Sequence, residues 1–326
     1  MKQKLLIRMK DETKRGEKIG RSRSSKSVVV LSDMHVGSIY AVCTPEASCN
    51  GGFGLKPSKY NQDMYENWGV IRDSIRKKDT DILVVNGEPC DGANKKSMGS
   101  SVWSTNVTDQ LNDAERLIKM YNWREIVMTR GSRYHVAVDN FYHEEVLAKR
   151  LGAIPYQGLF GDALKNMYKK KQFAFQNYNG DHTDFYLWFI LGEKRFSVTH
   201  HLGFTKWFAY KPTAMGREMA DLEFGRGKWY PSDANVEVYI RSHVHYYCEV
   251  RYANSLGYTT PCWKLPDEHL LRGGLGGTAP TIGIVENIIE PNGDILVYPH
   301  TIKAKRYPKP YEINFDEILA KKHGIY

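Results

Sequence analysis

The sequence predicts an α/β protein whose short, buried strands alternate with helices and carry ligand-type polar residues at their carboxyl ends. Three observations predict it. Several β-branched apolar runs each stop in a polar cluster, and segments of helical period lie between the first three. Six of the eleven histidines fall just after such runs, at His35, His135, His200, His201, His243 and His245.

The first run, residues 27–31 (SVVVL), leads into Ser32, Asp33, Met34 and His35. Residues 81–85 (DILVV) lead into Asn86, Gly87, Glu88, Pro89, Cys90 and Asp91, and residues 125–128 (EIVM) into a glycine turn with Gly131, Ser132, Arg133, Tyr134 and His135. Residues 196–198 precede Thr199, His200 and His201, and residues 236–240 (VEVYI) precede Arg241, Ser242, His243, Val244 and His245. Continuous β-branched runs bounded by turn residues read as strands covered on both faces.

Between the first three strands, residues 61–77 place Met64, Trp68, Ile71 and Ile75 at helical spacing, and residues 108–121 do the same with Leu111, Leu117, Ile118 and Tyr121. A third helix over 140–151 follows the third strand. This order implies parallel strands with crossover helices. Ligands of open α/β sheets gather beyond the carboxyl ends of the strands, so five distant segments are expected to converge on one site. Further strand-like runs at 248–252, 281–285 and 294–298 fit a second sheet packed on the first.

The rest of the chain is organised around that frame. Residues 1–27 hold ten Lys/Arg and three Asp/Glu, which accounts for most of the net charge of +9. Residues 1–26 therefore read as a basic, flexible arm that cannot bury apolar surface, serving either to solubilise or to meet nucleic-acid phosphates. Residues 27–326 read as one domain with insertions near 41–58, a glycine-rich flap, and 152–184, a polar Tyr- and Lys-rich stretch. The longest apolar stretches are far short of the ~20 residues of a membrane-spanning helix. The N-terminus has no apolar segment of the secretory kind. The five cysteines are scattered with no CxxC pair, which fits reduced thiols in a cytoplasmic protein.

Chemistry enters through the strand-end residues. Carboxylates suit hard divalent cations, and imidazoles add affinity for Mn²⁺, Fe²⁺ or Zn²⁺. Asp33 and His35, at i and i+2 in an extended segment, point to one side and can reach one ion. His243 and His245 repeat the spacing with two imidazoles. Glu88, after the central strand, is the natural bridge between two ions held ~3.5–4 Å apart.

These residues resemble the signature of the calcineurin-like metallophosphoesterase superfamily, which runs DxH, GDxxD, GNHD/E, an isolated His, then GHxH. The match spans about 28–245. Asp33-Met34-His35 fits the first motif, Gly87-Glu88-Pro89-Cys90-Asp91 fits the second with Glu at the bridging position, and Ser242-His243-Val244-His245 fits the last with Ser for Gly. The resemblance implies a four-layer α/β/β/α sandwich of mixed sheets with a dinuclear metal site at the carboxyl ends of the strands. It implies Asp33, His35, Glu88 and His245 on a first metal, and Glu88, His200 and His243 on a second. His200 and His201 compete for the isolated-histidine role, with His200 favoured.

The third motif departs from the pattern: Ser132 stands for the metal-binding Asn, and His135 lies two residues past the family's His. Ser132 is a poorer neutral ligand, and His135 is either a displaced general acid, oriented by Asp91, or a replacement ligand. Arg133 either neutralises phosphoryl oxygens or is a solvated loop charge. The variant turn resembles that of bacteriophage-encoded members, for which the location is the host cytoplasm.

The expectation is a hydrolase of phosphate esters using two divalent cations, Mn²⁺ first, with Fe, Zn²⁺ or Ni²⁺ as alternatives. A phosphodiesterase or nuclease draws on the basic arm and on Lys206 and Trp207, within an aromatic and lysine-rich stretch that either stacks on bases or covers a helix or flap. The alternatives are a phosphomonoesterase or protein phosphatase, and a nucleic-acid-binding protein whose metal is structural. Fold alone does not decide among them.

Overall fold

The computed structural model describes residues 24–49, 52–94, 98–138, 141–155, 182–203, 208–224, 235–268, 279–308 and 313–323. Most of the basic arm, most of the 152–184 insertion, and Lys206 and Trp207 lie outside these residues.

Two mixed sheets form the centre. The first contains β1 (Lys26–Leu31), β2 (Thr80–Asn86), β3 (Trp123–Thr129) and β4 (Thr183–Asp184). The second contains β5 (Tyr186–Leu191), β6 (Lys194–Thr199), β7 (Val238–Arg241), β8 (Cys248–Arg251) and β9 (Leu256–Thr259). Then β10 (Ile282–Ile289) and β11 (Ile295–Ile302) return to the first sheet. The first sheet is ordered β11-β10-β1-β2-β3-β4, and the second β8-β9-β7-β6-β5. Strands β1, β2, β3 and β4 run parallel, as do β6, β7 and β9, while β10 lies antiparallel between β1 and β11.

The period of two along β1 separates the layers. Val28 and Val30 join Val84, Val127, Phe196, Val198, Val238 and Ile240 in the core between the sheets. Val29 and Leu31 face the other way. They pack under the helices α1 (Lys59–Ser74) and α2 (Val107–Ile118), with Met64, Trp68, Ile71, Leu111 and Leu117. Beyond a one-turn α3 (Arg133–Val136), α4 (His143–Leu151) adds Leu147 and Ala148 to that core. On the outer face of the second sheet, α5 (Lys211–Phe224) packs Met215 and Met219 against Tyr239 and Tyr246. The layers are thus α/β/β/α. A further helix, α6 (Phe315–His323), follows β11. No helix among the described residues is long and apolar enough to cross a membrane.

Several boundaries differ from the sequence reading for physical reasons. Helix α1 stops at Ser74, not 77, because the Glu286 carboxylate takes the N–H groups of Arg76 (3.0 Å) and Lys77 (2.9 Å). Helix α4 begins at His143, not 140, because Phe141–Tyr142 pairs with Ala137–Val138 as a small hairpin. The first half of the expected flap is packed: Ala41, Val42, Cys43 and Ala47 are buried. Strand β5 carries an apolar run, yet Ile190 is exposed, because β5 is an edge strand.

Candidate metal centre

Five turns leave the carboxyl ends of β1, β2, β3, β6 and β7 and meet. Their backbones are unusual. Asp33 (φ 48°), His35 (φ 48°), Glu88 (φ 52°), His243 (φ 70°) and His245 (φ 57°) all adopt the left-handed region, which non-glycine residues avoid. Each such residue costs about 1–3 kcal/mol and persists where the surroundings over-determine it. This is also why Asp33 and His35 converge: each is turned individually, and the extended segment expected from i, i+2 spacing ends at Leu31.

The side chains fall into groups that share members. Ligand-type atoms of Asp33, His35, Glu88 and His245 all lie within 4.8 Å of one another, and so do those of Glu88, His200 and His243. Glu88 belongs to both, and its two oxygens face different partners. Oε2 is 2.9 Å from His35 Nε2, and Oε1 is 3.1 Å from His200 Nε2 and 3.9 Å from His243 Nδ1. Asp33 Oδ1 lies 3.2 Å from His245 Nε2, 3.7 Å from His200 Nε2 and 3.9 Å from His35 Nε2. His201 stays outside both groups: it is exposed, and its ring lies edge-on to those of His200 and His243.

The supports of these groups fix which nitrogen points inward. His200 Nδ1 donates to the Asn86 carbonyl at 2.8 Å, which turns Nε2 to the centre. His35 Nδ1 donates to Asp91 Oδ1 at 2.9 Å, which does the same for its Nε2. His135 Nδ1 donates at 2.8 Å to the carbonyl of Asp91, while the Asp91 carboxylate is 3.7 Å away. Asp91 therefore orients His135 by its backbone and His35 by its side chain. Ser132 sends its N–H to Glu88 Oε1 (3.1 Å) and sets its hydroxyl 3.4 Å from His243 Nδ1. Arg133 is exposed and turned aside, its guanidinium donating to the Tyr142 hydroxyl at 3.2 Å.

Close approach makes two glycines necessary here. A Cβ on Gly87 would sit 2.4 Å from His200 Nδ1, and one on Gly131 would sit 2.7 Å from the Glu88 nitrogen. The sequence reading missed two further residues. Glu144, on α4, is buried beneath both turns and accepts from the N–H of Glu88 (2.9 Å) and of Gly131 (3.0 Å). Lys264 is buried against Asp91. Neither stands at a motif spacing, so only the fold reveals them.

The electrostatics favour cations. Burial pushes the Asp33 carboxyl up, but His200 and His245 outweigh it and bring it down to about 2. Burial likewise opposes the Glu88 carboxylate, yet His135, His200 and His35 hold it well below the usual range. In return His200 is lifted to about 9, against its own burial, by Glu88 and Asp33. Burial pushes Glu144 up to about 8, and pushes His243 and His135 down to about 4. Protons on histidines thus do the work of neutralising buried carboxylates, and metal binding would release those protons. Asp33 Oδ1 and His200 Nε2 are buried without a hydrogen-bond partner among the described residues, despite their ion-pair distances. Mixed carboxylate and imidazole donors with such orphaned atoms fit divalent cations.

No family model matches the sequence, and no curated protein matches it. Solved structures resemble it at low identity. Vps29 from Entamoeba histolytica, complexed with Zn²⁺, is 9% identical with a TM-score of 0.36, over 84% of this chain and 98% of that one. A novel archaeal phosphodiesterase is 11% identical with a TM-score of 0.34, over 84% and 99%. A putative 5'-nucleotidase from Staphylococcus aureus is 12% identical with a TM-score of 0.38, over 92% of this chain and 58% of that one. These likenesses are too distant to assign a residue, and the functional reading rests on the side chains.

Proposed function

We propose that the protein is a phosphoester hydrolase of the metallophosphoesterase kind that works with two divalent cations, Mn²⁺ first among them. The observation that carries this reading is the pair of ligand groups sharing Glu88: Asp33, His35, Glu88 and His245, and Glu88, His200 and His243. Two cations in such a site supply Lewis-acid charge and water activated toward a pKa of ~7.

The chain's own residues then have distinct tasks. Glu88 would serve both ions, since its Oε2 faces His35 and its Oε1 faces His200. Asn86 and Asp91 hold His200 and His35 with their Nε2 lone pairs inward. Ser132 offers its hydroxyl beside His243 as a weak additional ligand. His135, with Nδ1–H given to a carbonyl and its pKa held down by burial, suits a neutral ligand or proton acceptor better than a charged acid. Of these the proton acceptor fits, since His135 belongs to neither ligand group that shares Glu88. Arg133, exposed at the rim, is available to meet a phosphate once it leaves Tyr142.

The substrate class we favour is a phosphodiester in a nucleic acid or nucleotide, from the basic arm and from Lys206 and Trp207 in the sequence. The test is a panel of single-stranded DNA, duplex DNA, RNA, nucleotides and bis-p-nitrophenyl phosphate, with Mn²⁺ supplied. Asp33→Ala and His243→Ala should abolish Mn²⁺-dependent turnover of whichever substrate responds. Undiminished hydrolysis in both variants would sink the proposal. Metal binding with no turnover on any substrate would favour a binding protein with a structural metal.

A further inference from the structure

Beyond the five turns, residues 262–265 form a seam along the first ligand group. The Trp263 N–H donates to the Asp33 carbonyl at 2.9 Å, and its carbonyl accepts from Val42 at 3.1 Å. Lys264 pairs with Ala41 in an isolated β-bridge. This path carries the Lys264 side chain inward, where Nζ sits 2.9 Å from Asp91 Oδ1 and 2.9 Å from Asp267 Oδ2.

Both oxygens of Asp91 are engaged. Its Oδ1 also accepts from His35 Nδ1 at 2.9 Å, and its Oδ2 accepts from Asn94 at 2.8 Å. Yet His35, Asp91 and His135 form a third group whose ligand-type atoms lie within 4.8 Å of one another. A cation bound there would need an Asp91 oxygen, and a buried ammonium already lies against it. Repulsion between like charges in a site of low dielectric opposes a second cation at that spot.

We propose that Lys264 is a built-in cation that takes the place of a metal at the His35–Asp91–His135 trio, and so makes Asp91 a support for His35 in place of a ligand. The inference rests on the two-cation reading of the centre. Among the described residues Lys264 Nζ pairs with Asp91 and Asp267, which belong to neither main group, so it is a positioning residue. Its charge keeps the Asp91 carboxylate in the orientation that fixes the His35 tautomer. Partners of this kind influence metal affinity by about 10–100-fold when lost.

The test is calorimetric titration of Mn²⁺ into the metal-stripped full chain, for wild type, Lys264→Arg, Lys264→Met and Asp267→Asn, with near-ultraviolet circular dichroism as the check on folding. Wild type is expected to bind two ions. Lys264→Met should lose about 10–100-fold at the site holding His35 while the site holding His200 keeps its affinity, and Lys264→Arg should restore the first. A third ion bound by Lys264→Met would also support the proposal. Two ions with wild-type affinities in Lys264→Met would overturn it alone, whereas a wild type that binds none overturns the two-cation reading and this inference with it. If Lys264→Met does not fold, Asp267→Asn decides. It removes the other anchor of Lys264, and unchanged affinity at the first site would then overturn the proposal.

Discussion

Asp33 Oδ1 and His200 Nε2 face each other at 3.7 Å, both completely buried and neither in a hydrogen bond among the described residues. Each is met at ion-pair distance instead, Asp33 by His245 at 3.2 Å and His200 by Glu88 at 3.1 Å, contacts that metal coordination would replace. Divalent cations that bind there should stabilise the fold. At a Mn²⁺ concentration ~100 times Kd, each site should add about 2.7 kcal/mol. Thermal unfolding of stripped protein should shift upward on Mn²⁺ addition and back on chelation. Asp33→Ala should lose about half of the shift, the part due to the site holding His35, and an equal rise in that variant would contradict the assignment.

The adjacent histidines should separate cleanly. His200 is buried with its Nδ1 fixed by Asn86, whereas His201 is exposed. His200→Ala is expected to abolish Mn²⁺-dependent turnover and to remove one bound ion. His201→Ala should stay within about 0.5 kcal/mol of wild type in stability and keep its metal content. Metal analysis of the two purified variants is enough to check this, and the reverse result would exchange their roles.

Gly87→Ala should damage the centre without touching a ligand. The new methyl would fall 2.4 Å from His200 Nδ1, at a backbone φ of +76°. Overpacking and the strained φ together should cost roughly 2–4 kcal/mol. Denaturant titration would read the stability, and Mn²⁺ affinity should fall in parallel as His200 is pushed from Asn86. A variant as stable as wild type would mean that the turn between β2 and α2 can yield.

Acid sensitivity should trace in part to Glu286. Burial pushes this carboxyl up, but His300 and the N–H groups of Arg76 and Lys77 outweigh it and hold its pKa below the usual 4.5. Since the folded value is the lower one, the stabilisation is present above the unfolded pKa and disappears as pH falls through the folded one. Glu286→Gln should therefore be less stable than wild type at pH 7, and the gap should close below pH 4.5. Chemical unfolding at several pH values would show it. A gap that does not vary with pH would leave the ionised form without a role.

Much of this arrangement could be read from residue types. The runs before Asp33 and Glu88 are apolar and continuous because both faces of their strands are covered, and local pattern reports that well. The chemistry of the turns was legible for the same reason: carboxylate and imidazole side chains at strand ends have few other uses in such number. What local pattern could not convey was long-range. Glu144 and Lys264 reach the centre through helix packing and an isolated bridge, and no spacing marks them. The left-handed backbones at five candidate ligands arise from the meeting of the turns, so Asp33 and His35 come together by individual turning, where their i, i+2 spacing suggested an extended segment. Strand β9 was missed because its four residues, Leu256–Thr259, include a glycine and gain their burial from α5 and from the core between the two sheets.

The pairing of β1 with β10 bears on how the protein comes to exist during synthesis. Strand β1 supplies the first ligand turn, yet one of its two neighbours is β10, and Asn287 reaches the Val28 carbonyl across 259 residues of chain. Contacts of such sequence separation form late and slow folding. A ribosome that has made all five ligand turns has still not made the strand that closes the sheet beside the first of them. A nascent chain halted shortly after His245 should remain open and sensitive to proteases, and Mn²⁺ should give it little protection until residue 289 has emerged.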